Sequence, residues 1–105
     1  MIEITHEQRE VLKLAIEIYG EENQIDKAIE KMAELTKALL KHRHMDYNSE
    51  EAGAIDRKLQ ADVEEEIADV IIMMEQVSMM YDLFEIKDYI NAKVDRLAQR
   101  LHEEV

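Results

Sequence analysis

Two short acidic motifs in this chain have the residue types and the spacing of a metal site. The first is Glu30-Lys-Met-Ala-Glu34 and the second is Glu66-Ile-Ala-Asp69. Glu66 and Asp69 are three residues apart, so on a helix their side chains leave neighbouring points of one face. Carboxylate oxygens are the ligands that Mg²⁺ prefers, and a bound Mg²⁺ in turn binds phosphates. The motifs therefore predict a hard divalent cation at carboxylates from separate helices.

The same acidic residues also have explanations that need no metal. Glu66 and Asp69 lie among apolar residues, and a buried carboxylate needs a compensating charge, which a Lys or Arg side chain from another helix would supply as well as a cation. Glu34 lies roughly opposite the apolar stripe of its own helix, which is the usual place of a solvent-exposed residue. The local pattern leaves metal binding and ion pairing open.

Composition sets the limits within which a site has to work. With 105 residues and a hydrophobic content of 47%, the chain is expected to form one helical domain over residues 1–105. The 13 basic and 25 acidic residues give a formal charge of −12, which argues against a nucleic acid polymer as partner. The absence of cysteine excludes disulfides and thiolate metal sites. Its apolar runs are short and interrupted by charges, so we expect a cytoplasmic protein without a membrane partner.

The fold that must position these carboxylates is predicted to be all-α, because the chain has no proline and only two glycines. Thr5 and Gln8 form the pattern of a capping box at the start of a first helix, and Gly20 is its expected end. The next helix carries Lys37 and Lys41 near its C-terminus, where basic residues complement the helix dipole. The remaining helices are predicted over Asn23 to His42, Ile55 to Tyr81 and Phe84 to Glu103, with a loop over His44 to Ala54.

The third helix is apolar around almost its whole circumference from Val63 onward. A soluble helix of that kind is buried on all sides, and in a chain this short one of its faces needs a second subunit. The fourth helix is expected to bury one apolar stripe, formed by Ile86, Ile90, Val94, Leu97 and Leu101. Beside it runs a second row, Tyr89, Lys93, Arg96 and Arg100, which is either a solvated face or a set of phosphate ligands.

The order of these motifs resembles that of a known enzyme family. Gly20 to Leu35, then Glu65-Glu66-Ile-Ala-Asp69-Val, then Lys93 and Arg96, are similar to the MazG-like all-α nucleoside triphosphate pyrophosphohydrolases. The resemblance extends over nearly the whole chain. The family's motif is Glu-Glu-x-x-Glu, followed after a variable insert by Glu-x-x-Asp. It implies a four-helix MazG-like bundle that is completed by oligomerisation, as a homodimer or a homotetramer.

The resemblance also implies an activity and a set of site residues. The reaction is hydrolysis of a nucleoside triphosphate between its α and β phosphates, dependent on Mg²⁺, for which Mn²⁺ substitutes. Four groups of residues follow from it. The catalytic residues are Glu34, Glu66 and Asp69; the metal ligands are the same three, to which we add Glu30 because it lies one turn from Glu34; the phosphate ligands are Lys93 and Arg96; Asn23 and Gln24 meet the base or the sugar.

One position departs from the family's pattern. Lys31 stands where the family has the second Glu of its first motif, so one carboxylate of the ligand set is replaced by an ammonium group. We expect Lys31 either to weaken metal binding by repulsion or to take a cation's place itself, with Glu30 as a partial substitute ligand. This favours an alternative function, a catalytically silent helical module that binds nucleotide without cleaving it. A di-iron bundle is disfavoured, because none of the predicted helices carries its Glu-x-x-His motif.

Overall fold

The protein, described here by a computed structural model over residues 2–104, consists of four helices. Their bounds are α1, His6–Tyr19; α2, Glu21–Arg43; α3, Ala52–Ser78; and α4, Leu83–Glu104. The prediction of an all-α chain with four helices is confirmed for this part of the sequence. No helix within residues 2–104 has both the length and the apolar character needed to cross a membrane.

The beginning and the end of α1 follow directly from the sequence. The hydroxyl of Thr5 accepts a hydrogen bond from the backbone N–H of Gln8 at 3.1 Å, and the Gln8 side chain accepts one from the Thr5 N–H at 2.8 Å. Gly20 ends the helix with φ of 91° and ψ of 150°, a backbone region that is almost restricted to glycine. The helix α2 starts at the next residue, two positions earlier than predicted.

The longest interface in the chain is that between α2 and α3. These helices are antiparallel, since His42 near the end of α2 contacts Asp56 near the start of α3, and Lys31 contacts Asp69. The buried residues at their core are few: Ala28, Val63 and Met73, with two glutamines, Gln24 and Gln76. The helix α3 starts three residues earlier and ends three residues earlier than predicted. Along part of its circumference α3 is exposed, at Ile67, Ile72 and Met74.

The helix α4 corrects one expectation. It has almost no contact with the other three helices, and the predicted burial of its stripe is wrong within the chain. Only Ile86 is half-buried, whereas Ile90, Val94, Leu97 and Leu101 are between 45% and 57% exposed. The radius of gyration is accordingly 17.7 Å, against about 13 Å for a compact domain of this length. Amphipathic periodicity shows that a helix has a face to cover, but it does not show which surface covers it.

Candidate functional site

The predicted catalytic carboxylates meet at the middle of the interface between α2 and α3. Glu34 comes from α2, and Glu66 and Asp69 come from adjacent turns of α3. Each offers a carboxylate oxygen, and these three oxygens lie within 4.8 Å of one another. All three residues are half-buried. We call Glu34, Glu66 and Asp69 the acidic triad.

One buried oxygen of the acidic triad has no hydrogen-bond donor within residues 2–104. Oε2 of Glu66 is buried, and no hydrogen-bond donor among the described residues reaches it. Burial raises the pKa of the Glu66 carboxyl, and the negative charges of Glu34 and Asp69 raise it further. The charge of Lys31 lowers it only in part. The triad is therefore a cluster of oxygen donors that carries more negative charge than its surroundings balance.

Lys31 supplies the positive charge that is present. Its Nζ lies 3.2 Å from Oε2 of Glu34 and 3.6 Å from Oδ2 of Asp69. The hydrogen bond and the charge of Glu34 raise the pKa of the Lys31 ammonium, although its partial desolvation acts in the opposite direction. The sequence left two roles open for Lys31: a repulsive neighbour of the metal, or an ammonium group in the cation's place. The contacts with Glu34 and Asp69 correspond to the second role.

The donor set of the triad fits a hard divalent cation. Three carboxylate oxygens converge from two helices, and one buried oxygen among them has no donor. Hard cations bind such oxygens. Lys31 already contacts two of the three carboxylates, so an incoming cation has to displace the ammonium group or share the cluster with it.

A groove on one side of the triad brings further basic side chains close to it. Its volume is about 210 Å³, and Lys37, Lys41, Glu34 and Glu66 are among the residues that line it. Sequence reasoning explained these two lysines by the helix dipole and missed their place beside the triad. The signal was available, because positions 37 and 41 follow Glu34 by three and seven residues and so share its face of α2.

A larger cavity of about 590 Å³ lies on the other side of the triad, between α1, α2 and α3. It is lined by both residues that were assigned to the base or the sugar, Asn23 and Gln24. The Asn23 amide donates a hydrogen bond to the backbone oxygen of Tyr19 at 2.7 Å. Glu30 also lines this cavity, on an exposed position, and the acidic triad does not include it.

The two basic residues assigned to phosphate are on α4, the helix with almost no contact to the other three. Lys93 and Arg96 lie on α4, where both are exposed. Their side chains form no ion pair with another residue of the described range 2–104. Among residues 2–104, Lys31 contacts the triad, and Lys37 and Lys41 line the groove beside it.

One of the histidines takes part in holding α2 against α3. Nε2 of His42 lies 2.7 Å from Oδ1 of Asp56, and the Gln60 amide donates to the other oxygen of the same carboxylate at 2.8 Å. His42 and Asp56 are both half-buried. This contact joins α2 to α3 at the end of the pair that is next to the connecting loop.

In comparisons with known proteins, no protein family, no curated protein and no solved structure matches the chain.

Proposed function

We propose that this protein is a Mg²⁺-dependent nucleoside triphosphate pyrophosphohydrolase, which converts an NTP or dNTP and water to the monophosphate and pyrophosphate. The observation that carries the proposal is the convergence of Glu34, Glu66 and Asp69 from two helices onto one point. These are the residues to which the resemblance in motif order assigns the metal. Oxygen clusters of this kind are suited to phosphoryl chemistry because they hold the cation that neutralises phosphate charge.

In this function, the carboxylates of the triad and the lysines of the groove have separate roles. Glu34, Glu66 and Asp69 hold Mg²⁺, which when bound polarises the phosphoryl oxygens and activates water. Lys37 and Lys41 line the adjoining groove, where their ammonium groups bind the phosphates that leave as pyrophosphate. The acidic residues of the same groove limit binding of anions that arrive without a metal.

A homo-oligomer is part of the same proposal. The stripe on α4 and the open face of α3 leave large apolar side chains exposed in the single chain. Exposed apolar surface of this extent favours association. A homodimer or homotetramer would cover both surfaces and complete the four-helix bundle. It would also determine whether Lys93 and Arg96 of one copy reach the phosphates bound by another.

Release of pyrophosphate tests the activity. We expect a panel of nucleoside triphosphates and deoxynucleoside triphosphates to yield pyrophosphate with Mg²⁺ and not with EDTA. Glu66→Gln should remove the activity, because it removes a charged ligand. Glu64→Gln makes the same chemical change two residues earlier, on an exposed position outside the triad, and should leave it unchanged. Equal rates for the two variants would overturn the proposal.

A nucleotide-binding module without hydrolysis is the second candidate, and one contact favours it. The ammonium group of Lys31 lies between Glu34 and Asp69, where it provides a permanent counter-charge and reduces the affinity for a divalent cation. Under this function, nucleotides bind with or without Mg²⁺ and no pyrophosphate is released. The same panel, measured by equilibrium binding and by product release together, separates the two functions.

A further inference from the structure

Two glutamines lie buried at the wall of the cavity between α1, α2 and α3. Gln24 of α2 is 7% exposed and Gln76 of α3 is 2% exposed, which makes them the only polar residues of the described chain in the buried class. Both line the 590 Å³ cavity. Buried amides are normally satisfied by hydrogen bonds. An amide atom without a hydrogen-bond partner therefore indicates a group that a ligand has to supply.

Gln76 has one half of its amide satisfied and the other half free. Its Nε2 donates a hydrogen bond to the backbone oxygen of Leu12 at 3.0 Å, which fixes the orientation of the amide. Its Oε1 is buried and accepts no hydrogen bond from any described residue. An amide oxygen accepts up to two hydrogen bonds, and leaving it unpaired in a buried position is unfavourable. The packing therefore leaves, beside the cavity, a buried acceptor that has no N–H or O–H donor in the described part of the chain.

The position of this acceptor relative to the acidic triad suits a nucleotide. Gln24 precedes Glu34 by ten residues on α2, and Gln76 follows Asp69 by seven residues on α3. Because the helices are antiparallel, both glutamines lie on the same side of the triad, about 10 to 15 Å along the helix axes at 1.5 Å per residue. That separation is on the scale of one nucleoside triphosphate, whose base and phosphates lie at opposite ends.

We infer that this cavity is the nucleobase subsite, and that Oε1 of Gln76 accepts a hydrogen bond from an N–H donor on the edge of the base. The inference rests on the proposed function, since the phosphates of the same nucleotide meet the triad. The Gln24 amide, which has both donors and an acceptor, pairs with the group next to that N–H. Met73 is buried in the wall, and the exposed ring of Tyr19 lies at the rim, where it stacks on the base.

Methylated nucleosides test the inference on the wild-type protein. The probes are adenosine, guanosine, cytidine and uridine, followed through the side-chain amide signals of Gln76 and the methyl signal of Met73 in NMR titrations without metal. For each nucleoside that binds, we compare an analogue in which methyl groups replace every hydrogen of the edge N–H donor with one methylated at a ring carbon, such as 3-methyluridine and 5-methyluridine. We expect about tenfold weaker binding for the first only, since it leaves the acceptor unpaired.

A substitution at the acceptor provides the second measurement. Gln76→Met keeps the length of the side chain and removes the amide, so it should bind the two methylated analogues with equal affinity. Gln99→Met, on an exposed position of α4, is the matched control and should discriminate as the wild type does. If Gln76→Met fails to fold, the comparison of analogues on the wild type still decides.

Three results would overturn the inference: no nucleoside perturbs the signals of Gln76 at millimolar concentration, the two methylated analogues bind alike to the wild type, or Gln76→Met still discriminates between them. The proposed function fails separately. If nucleosides bind at Gln76 but no pyrophosphate is released, the base subsite is supported and the enzymatic function is excluded. If pyrophosphate is released but methylation has no effect on binding, the enzymatic function is supported and the subsite is excluded.

Discussion

Nζ of Lys31 lies 3.6 Å from Oδ2 of Asp69, in a contact that joins α2 to α3 at the level of the acidic triad. The same ammonium group is hydrogen-bonded to Glu34. A cation is thus built into the side-chain cluster that the resemblance assigns to Mg²⁺. Metal binding has to compete with this internal ion pair, and the predictions about the site depend on how that competition ends.

Replacing Lys31 by glutamate should strengthen metal binding. The substitution removes a positive charge that contacts two of the three carboxylates and adds a potential ligand. We expect the affinity for Mg²⁺ to rise by about tenfold or more, since close charges at a half-buried site interact strongly. Isothermal titration calorimetry of the wild type and Lys31→Glu measures the change.

Two further variants define what the result means. Lys31→Met removes the charge without adding a ligand, so it separates relief of repulsion from new coordination. Glu30→Gln should have little effect if the triad alone binds the metal. A large loss in Glu30→Gln together with no gain in Lys31→Glu would show that Glu30 completes the site. Absence of metal binding in the wild type and in all variants would rule out the pyrophosphohydrolase.

Mg²⁺ or Mn²⁺ should stabilise the folded protein through the triad. A ligand at about 100 times its Kd adds about 2.7 kcal/mol to the free energy of unfolding. For a chain of this length that corresponds to a rise in Tm of roughly 10 °C or more. Differential scanning fluorimetry should show the rise in the wild type and none in the double variant Glu66→Gln, Asp69→Asn. A double variant that retains the full rise would place the metal elsewhere.

The raised pKa of Glu66 predicts a pH dependence of stability in the absence of metal. Because the folded protein holds the Glu66 proton more tightly than the unfolded chain does, the contribution of this group to stability is lost as the pH rises through its raised pKa. Glu66→Gln cannot ionise and should be more stable than the wild type at neutral pH.

The difference between the two proteins should disappear in acid. Below the ordinary pKa of a glutamate, Glu66 is protonated in the folded and the unfolded states, so the substitution no longer changes the charge. Urea unfolding in EDTA over a series of pH values gives the two stability curves. Parallel curves across the whole range would contradict the assigned direction of the pKa.

The exposed stripe of α4 predicts self-association. We expect sedimentation equilibrium at micromolar concentration to give at least a dimer, and Leu97→Glu to shift it towards the monomer by placing a charge in the apolar stripe. Gln99→Glu adds the same charge on the opposite side of α4 and should leave the assembly unchanged. A monodisperse wild-type species of 12.4 kDa would exclude the oligomer.

Local chemistry made much of this structure predictable. The start of α1 depends on two residues three positions apart, and its end depends on a glycine, so both could be placed from the sequence. The pairing of Glu66 with Asp69 also follows from helical spacing alone. The approach of Glu34 to them could not be obtained in that way, because it depends on the register between α2 and α3. The motif order supplied it through the resemblance.

The parts that escaped prediction depend on contacts between helices. The apolar stripe of α4 was identified correctly as a stripe, but its burial requires a surface that the single chain does not bring to it. Nothing in the sequence pattern distinguishes Gln76, and only the packing of α1 shows that its Nε2 donates a hydrogen bond to the backbone oxygen of Leu12. The contact between the Lys31 ammonium group and Asp69 likewise depends on how α2 packs against α3, so it could not be predicted from the sequence.

Gly20 is the whole connection between α1 and α2, and its backbone conformation therefore sets the angle at which α1 leans over the other two helices. A β-carbon at this position would meet no atom within 4 Å, so an alanine there is opposed by its backbone torsions alone, at roughly 1–3 kcal/mol. The chain could relieve that strain by tilting α1. Because residues of α1 line the large cavity, this single pair of dihedral angles also sets the width of that cavity.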